Sequence, residues 1–195
     1  MVPRKTSLIP PLIRWPPWTR QLLDVTVTVG SLVVCLLLLP TRLPGMELLG
    51  IGPNWLLIWV VAWSLNRTVA QGVFAGLVLG ILQDGLSASD PTHAVSLMVV
   101  GFLAARLQKQ RYIQEDFISV ALVVFGMSVL AETVTAVQFS LESLWGDSAG
   151  VGRPLRDIWA YHQQVTLASA ILSSLWAPVI YFPLDRWWSK MNLFE

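Results

Sequence analysis

Three glycines, Gly72, Gly76 and Gly80, recur every four residues in an apolar run, and Asp84 continues the same spacing with Gln83 beside it. Residues four apart share one face of a helix. The spacing predicts a flat ridge on which another backbone can lie close. At its end stands an ionisable group that faces the bundle, a partner or interfacial water. Gly72, Gly76, Gly80, Gln83 and Asp84 are therefore expected to form a helix-packing or partner face. Glu132 is the second candidate, a carboxylate well inside another apolar run, with Ser128 and Thr135 on its face. A charge at that depth is costly. Glu132 is thus either a contact for a ligand, a proton or a partner, or a protonated, hydrogen-bonded structural group.

Other residues offer less. His93 lies near Asp84 and Asp90, but the three do not follow a recognised metal-ligand spacing, so no metal site is expected. His162, beside Gln163 and Gln164, is expected at the outer interface. Trp55, Trp59 and Trp63 form one helical stripe, suited to anchoring at headgroup level or to stacking on a ligand. Cys35 is the single cysteine and can form no disulfide within the chain. The sequence contains no His-Glu-x-x-His, Gly-x-Ser-x-Gly, Walker loop or dinucleotide fingerprint. No catalytic residue and no cofactor are expected. A net charge of +1 gives no bulk attraction for nucleic acid.

The elements that must position these residues are apolar. Of the 195 residues, 54% are hydrophobic and 13% charged, with a mean hydropathy of +0.61, whereas soluble domains carry about 25% charge. The pattern predicts an all-α integral membrane protein with six transmembrane helices, over about 22–39, 46–65, 69–86, 91–107, 117–139 and 165–182. Residues 1–19 hold five prolines and three basic residues and read as an extended cytoplasmic tail ahead of a membrane domain at 20–190. Gly50, Gly52 and Pro53 interrupt the second span. Ser89 or Asp90 with Pro91 should start the fourth. Pro178 should kink the sixth and Pro183 end it. A polar connection is expected at 142–157. With the N-terminus inside, ten of the 13 basic residues fall on the cytoplasmic side and three outside. That asymmetry predicts N-in and C-in.

From Pro53-Asn54-Trp55-Leu56-Leu57, through Asn66-Arg67, to the run from Gly72 to Asp84, the chain resembles the rod shape-determining protein MreD family. His93-Ala94, Gly101-Phe102-Leu103, and the closing Ala177-Pro178-Val179-Ile180-Tyr181 to Leu184-Asp185-Arg186 are similar to later segments of that family. Asp90-Pro91-Thr92 departs from it, standing where a Leu-Gly-like turn is usual, and the 142–157 connection and proline-rich tail are also atypical. The resemblance implies a bacterial plasma-membrane scaffold of the cell elongation complex, and not an enzyme. It would bind MreC and couple the MreB cytoskeleton to RodA, a class B penicillin-binding protein and peptidoglycan synthesis. It further implies a bundle resembling energy-coupling-factor S-components. The alternative reading is a substrate-binding subunit of a small-solute (vitamin-type) transporter. Glu132, Asp84 and the Trp55/Trp59/Trp63 stripe would then line an outward cavity.

Overall fold

The computed structural model describes residues 16–41, 45–48, 50–87, 92–109, 116–145 and 155–192. Six helices follow one another: α1 (Pro17–Leu38), α2 (Trp55–Ser64), α3 (Val69–Ser87), α4 (His93–Lys109), α5 (Phe117–Trp145) and α6 (Leu155–Asn192). The described residues contain no strand, only an isolated bridge between Leu48 and Ile51. The proline-rich tail up to residue 15, the Ser89/Asp90 cap with Pro91, and residues 146–154 of the polar connection lie outside the described residues.

Two antiparallel hairpins, α3–α4 and α5–α6, form the bulk of the fold and meet through α4 and α5. Between them stands α2, which touches all five other helices. Trp55 to Ala62 are buried without interruption, so α2 has no exposed stripe. A helix apolar on every side belongs in a core. The outermost helix is α1, which touches α2 and α6. Outward faces carry Val25, Val29 and Val33 of α1, Phe74 and Ile81 of α3, Ile118 and Leu122 of α5, and Ile171 and Leu175 of α6, all exposed. So large an apolar surface is a liability in water and suits a lipid environment. Four helices, α1, α3, α5 and α6, are long and apolar enough to cross a membrane.

Three of the helices differ in extent from the expected spans. The second is a helix of only ten residues, Trp55–Ser64, about 15 Å long at ~1.5 Å per residue. Before it, residues 45–48 and 50–53 are irregular, with Gly45 and Gly50 at positive φ (88° and 78°). The apolar run at 46–65 reflects burial inside the bundle as much as length across it. The sixth helix does not end at Pro183; α6 runs 38 residues, through both Pro178 and Pro183. Ala177, Tyr181, Leu184 and Trp188 make one buried stripe across both prolines. Continuous packing on that face holds the helix where a lone proline would break it. The fifth helix continues six residues past its expected end at 139.

Candidate functional site

The polar side chains gather at the two ends of the bundle. Antiparallel order puts the end of α3, the start of α4, the later part of α5 and the start of α6 together. This is the Asp84 end. The turn after α2 meets the start of α1 and the end of α6 at the other, the Asn66 end.

The glycine ridge is occupied from within the chain. A Cβ at Gly76 would meet the Leu97 carbonyl oxygen and lie 2.6 Å from its carbon and 2.9 Å from Met98 Cα. A Cβ at Gly72 would lie 2.6 Å from the Gly101 carbonyl oxygen, and one at Gly80 2.7 Å from the Ala94 nitrogen. The four-residue spacing thus lets α3 and α4 touch backbone to backbone, with Gly101 as the matching glycine on α4. Of the two uses expected of Gly72, Gly76 and Gly80, helix packing and a partner face, the contacts with α4 serve the first.

Asp84, one turn further, closes the same hairpin. Its Oδ1 accepts from the His93 backbone N–H (2.7 Å) and lies 2.8 Å from His93 Nδ1. The carboxylate thereby takes one of the backbone donors that the first turn of α4 cannot satisfy itself, beside the helix end where negative charge is favoured. Asp84 and His93 form a pair, and among the described residues no group of three or more His, Cys, Asp or Glu could hold a metal ion. Asp90 lies outside the described residues. The Gln83 Oε1 is buried with no hydrogen-bond partner.

Ser128 and Thr135 are buried, and Glu132 half-buried, on the face of α5 that meets α6. Thr135 bonds back to the Ala131 carbonyl (3.1 Å). His162 is not at the surface as expected. It is 8% exposed, packed on Phe139 (5.3 Å between rings), with its Nδ1 3.8 Å from Glu132 Oε2. That separation exceeds a hydrogen bond. His93, across the hairpins, is within electrostatic reach of Glu132.

The tryptophan stripe packs against α1 and α6. Trp55 packs on Trp176 of α6 (5.8 Å), Trp59 stacks on Trp63 (5.9 Å), and Trp59 Nε1 donates to Ser31 Oγ of α1 (2.9 Å). These rings tie α2 to α1 and α6. Among the described residues, the polar contacts of Glu132 and Asp84 are with histidines and not with the stripe.

At the Asn66 end two contacts went unread in the sequence. Asn66 Nδ2 donates to Asp185 Oδ1 (3.0 Å), joining the turn after α2 to α6. Arg67 approaches Asp24 of α1 at 3.9 Å and lies 5.7 Å over the Trp63 ring. Thr68 and Gln71 then cap α3 reciprocally, Gln71 Oε1 accepting from Thr68 N and Thr68 Oγ1 from Gln71 N, a capping box. An open cleft of about 620 Å3 lies here, lined by Asn66, Arg67, Thr68, Gln71 and Ala105 among others. Asn66-Arg67 and Leu184-Asp185-Arg186 both stood in the family-like motifs; a demand for a partner for each buried polar group could have paired them.

Fold and polar sites together define an all-helical membrane protein in which polar side chains join one helix or turn to another. A family model for the rod shape-determining protein MreD matches residues 20–149. The chain belongs to the MreD family on that match, which spans two thirds of its 195 residues. Neither a curated protein nor a solved structure matches it.

Proposed function

We propose that the protein is a non-enzymatic scaffold of the cell elongation complex in the bacterial plasma membrane. In this reading it crosses the membrane six times with both ends in the cytoplasm. It binds MreC and, through it, couples MreB to RodA, a class B penicillin-binding protein and peptidoglycan synthesis. The observation that carries the proposal is the family match over residues 20–149, which supports a role in rod shape determination. Features of the bundle favour the topology. Arg20, Arg67, Arg106, Arg186 and Lys190 all belong to the Asn66 end, as the positive-inside rule asks of a cytoplasmic face. Together with the irregular residues 45–48 and 50–53, several of which line a polar cleft with Leu38, Leu39 and Trp55, α2 would complete a crossing, since non-helical backbone is tolerated at membrane depth where it lines a water-filled cavity. The kinship with energy-coupling-factor S-components belongs to the same proposal, as one of fold and not of transport.

The test is affinity purification of the tagged protein from native membranes, with co-purifying proteins identified by mass spectrometry. Recovery of MreC-like and cell-wall synthesis proteins is the expected result. Recovery of an ATPase and energy-coupling subunits instead would overturn the scaffold reading in favour of a transporter component.

A further inference from the structure

The α5–α6 seam holds two buried polar groups without a hydrogen-bond partner beside a carboxylate, all toward the Asp84 end. Ser128 is 1% exposed and its Oγ has no partner; His162 is 8% exposed and its Nδ1 has none; Glu132 faces His162 across 3.8 Å. Ser128 and Glu132 are one helical turn apart on the same face. Buried polar groups are almost always paired, and each exception asks for an explanation. Other buried side-chain atoms, Ser64 Oγ, Gln83 Oε1, Gln138 Oε1 and Trp187 Nε1 among them, also lack a partner, but in this seam two such groups adjoin a carboxylate.

The three groups have a common character. A carboxylate, a hydroxyl oxygen and a ring nitrogen can all accept. With the imidazole proton on Nε2, the seam offers three acceptors, one of them anionic. The complement is a cation with several donors and no acceptor, and an alkylammonium presents three N–H donors. Access is from the side. The Glu132 side chain keeps 18% of its surface, Thr133 next to it is exposed, and Val129 is half-buried. The outward face of α5 is otherwise apolar, with Leu122 and Val137 exposed. An approaching group at this depth therefore arrives on an apolar carrier.

We propose that the Ser128–Glu132–His162 seam is a docking site for a membrane helix of a partner protein, which inserts a lysine ammonium between α5 and α6. The inference rests on the scaffold reading and names the chemistry of one partner contact. The lysine meets the Glu132 carboxylate, Ser128 Oγ and His162 Nδ1, and the surrounding helix covers the apolar rim. Charge complementarity gives the contact its selectivity, because a partner helix lacking the cation would leave only His162, at 3.8 Å, and the more distant His93 to answer the carboxylate.

The experiment places a photo-cross-linking residue at Val129 or Thr133 in the full-length protein in native membranes. The cross-linked peptides are then sequenced by mass spectrometry. The expected product is an apolar span of another protein with a lysine within one helical turn of the link. Its yield should fall at least tenfold in Glu132→Gln, which keeps shape and removes charge, and be largely retained in Glu132→Asp. Equal yield in Glu132→Gln overturns the proposal. So does a linked span without lysine, a link only to a second copy of this chain, or a link only to lipid. These outcomes leave the scaffold reading standing if co-purification still recovers MreC-like proteins. Loss of co-purification from the unaltered protein, in contrast, removes that reading itself.

Discussion

Replacing Gly76 by alanine should destabilise the bundle, while the same change at Gly126 should not. At Gly76 the added methyl meets Leu97 and Met98 of α4, and every near atom is backbone. The nearest carbon would sit at 2.6 Å where ordinary contact begins at 3.4 Å. The α3–α4 pair must therefore open by at least about 0.8 Å, because backbone cannot rotate aside as a side chain can. Overpacking costs about 1–3 kcal/mol, and rigid neighbours put Gly76 near ~3 kcal/mol on that scale. Alanine returns about 1 kcal/mol through helix propensity, leaving a net loss of about 2 kcal/mol. At Gly126 nothing lies within 4 Å of the new Cβ, so only the gain of up to ~1 kcal/mol remains. For a chain of this size, ~1 kcal/mol moves the melting midpoint by about 2–4 °C. Tryptophan fluorescence melts in a mild detergent should place Gly76→Ala about 4–8 °C below the parent protein and Gly126→Ala at or slightly above it. A Gly76→Ala midpoint equal to that of Gly126→Ala would refute the close α3–α4 approach and reopen the ridge as a surface for partners.

Further expectations concern the polar ties. Asp84→Ala removes both contacts to His93 and should cost about 1–3 kcal/mol; hydrogen exchange should quicken at residues 93–96 and stay unchanged in the first half of α5. Asp185→Ala, which strands the Asn66 amide, should cost about 1–3 kcal/mol. Asp24→Ala should cost less than ~1 kcal/mol, since Arg67 and Asp24 are 3.9 Å apart and 31% and 28% exposed. Paired melts that rank the two the other way would mean that α1 is held by charge and not by packing. Trp59→Phe loses the bond to Ser31 and should lower stability by about 1 kcal/mol, whereas Trp18→Phe, at a position 62% exposed, should leave the midpoint in place.

The long apolar helices were legible because their signal is local. Runs of the right length and four-residue glycine spacing identify α3 and α5 directly, and Asp84 could be placed at a helix end from spacing alone. What escaped depended on neighbours distant in sequence. The partner of the glycine ridge is α4, and nothing in the ridge itself says whether the backbone it receives is this chain's or another's. Pro183 reads as a terminator until the buried stripe Ala177–Tyr181–Leu184–Trp188 is known. His162 looked like an interfacial residue because its burial comes from Phe139 and Glu132 on another helix. For α2 a usable signal was present: nine of its ten residues, Trp55 through Ala62 and Ser64, are buried, and the run shows no polar stripe, the pattern of a core helix and not of one beside lipid.

The ten-residue length of α2 also bears on how the chain is built. Helices such as α3 and α5 can each enter a bilayer as finished units and find one another later, because their own backbone bonds and apolar surfaces satisfy the lipid. At about 15 Å, α2 cannot wait there alone; the lipid is about twice as thick as the helix is long. Although synthesised second, it reaches its place only when the hairpins that enclose it have emerged. The centre of the molecule thus depends on the rest of the chain being present. A ribosome-bound chain released after α3 would leave α2 unsheltered, a natural point for quality control to recognise an unfinished copy.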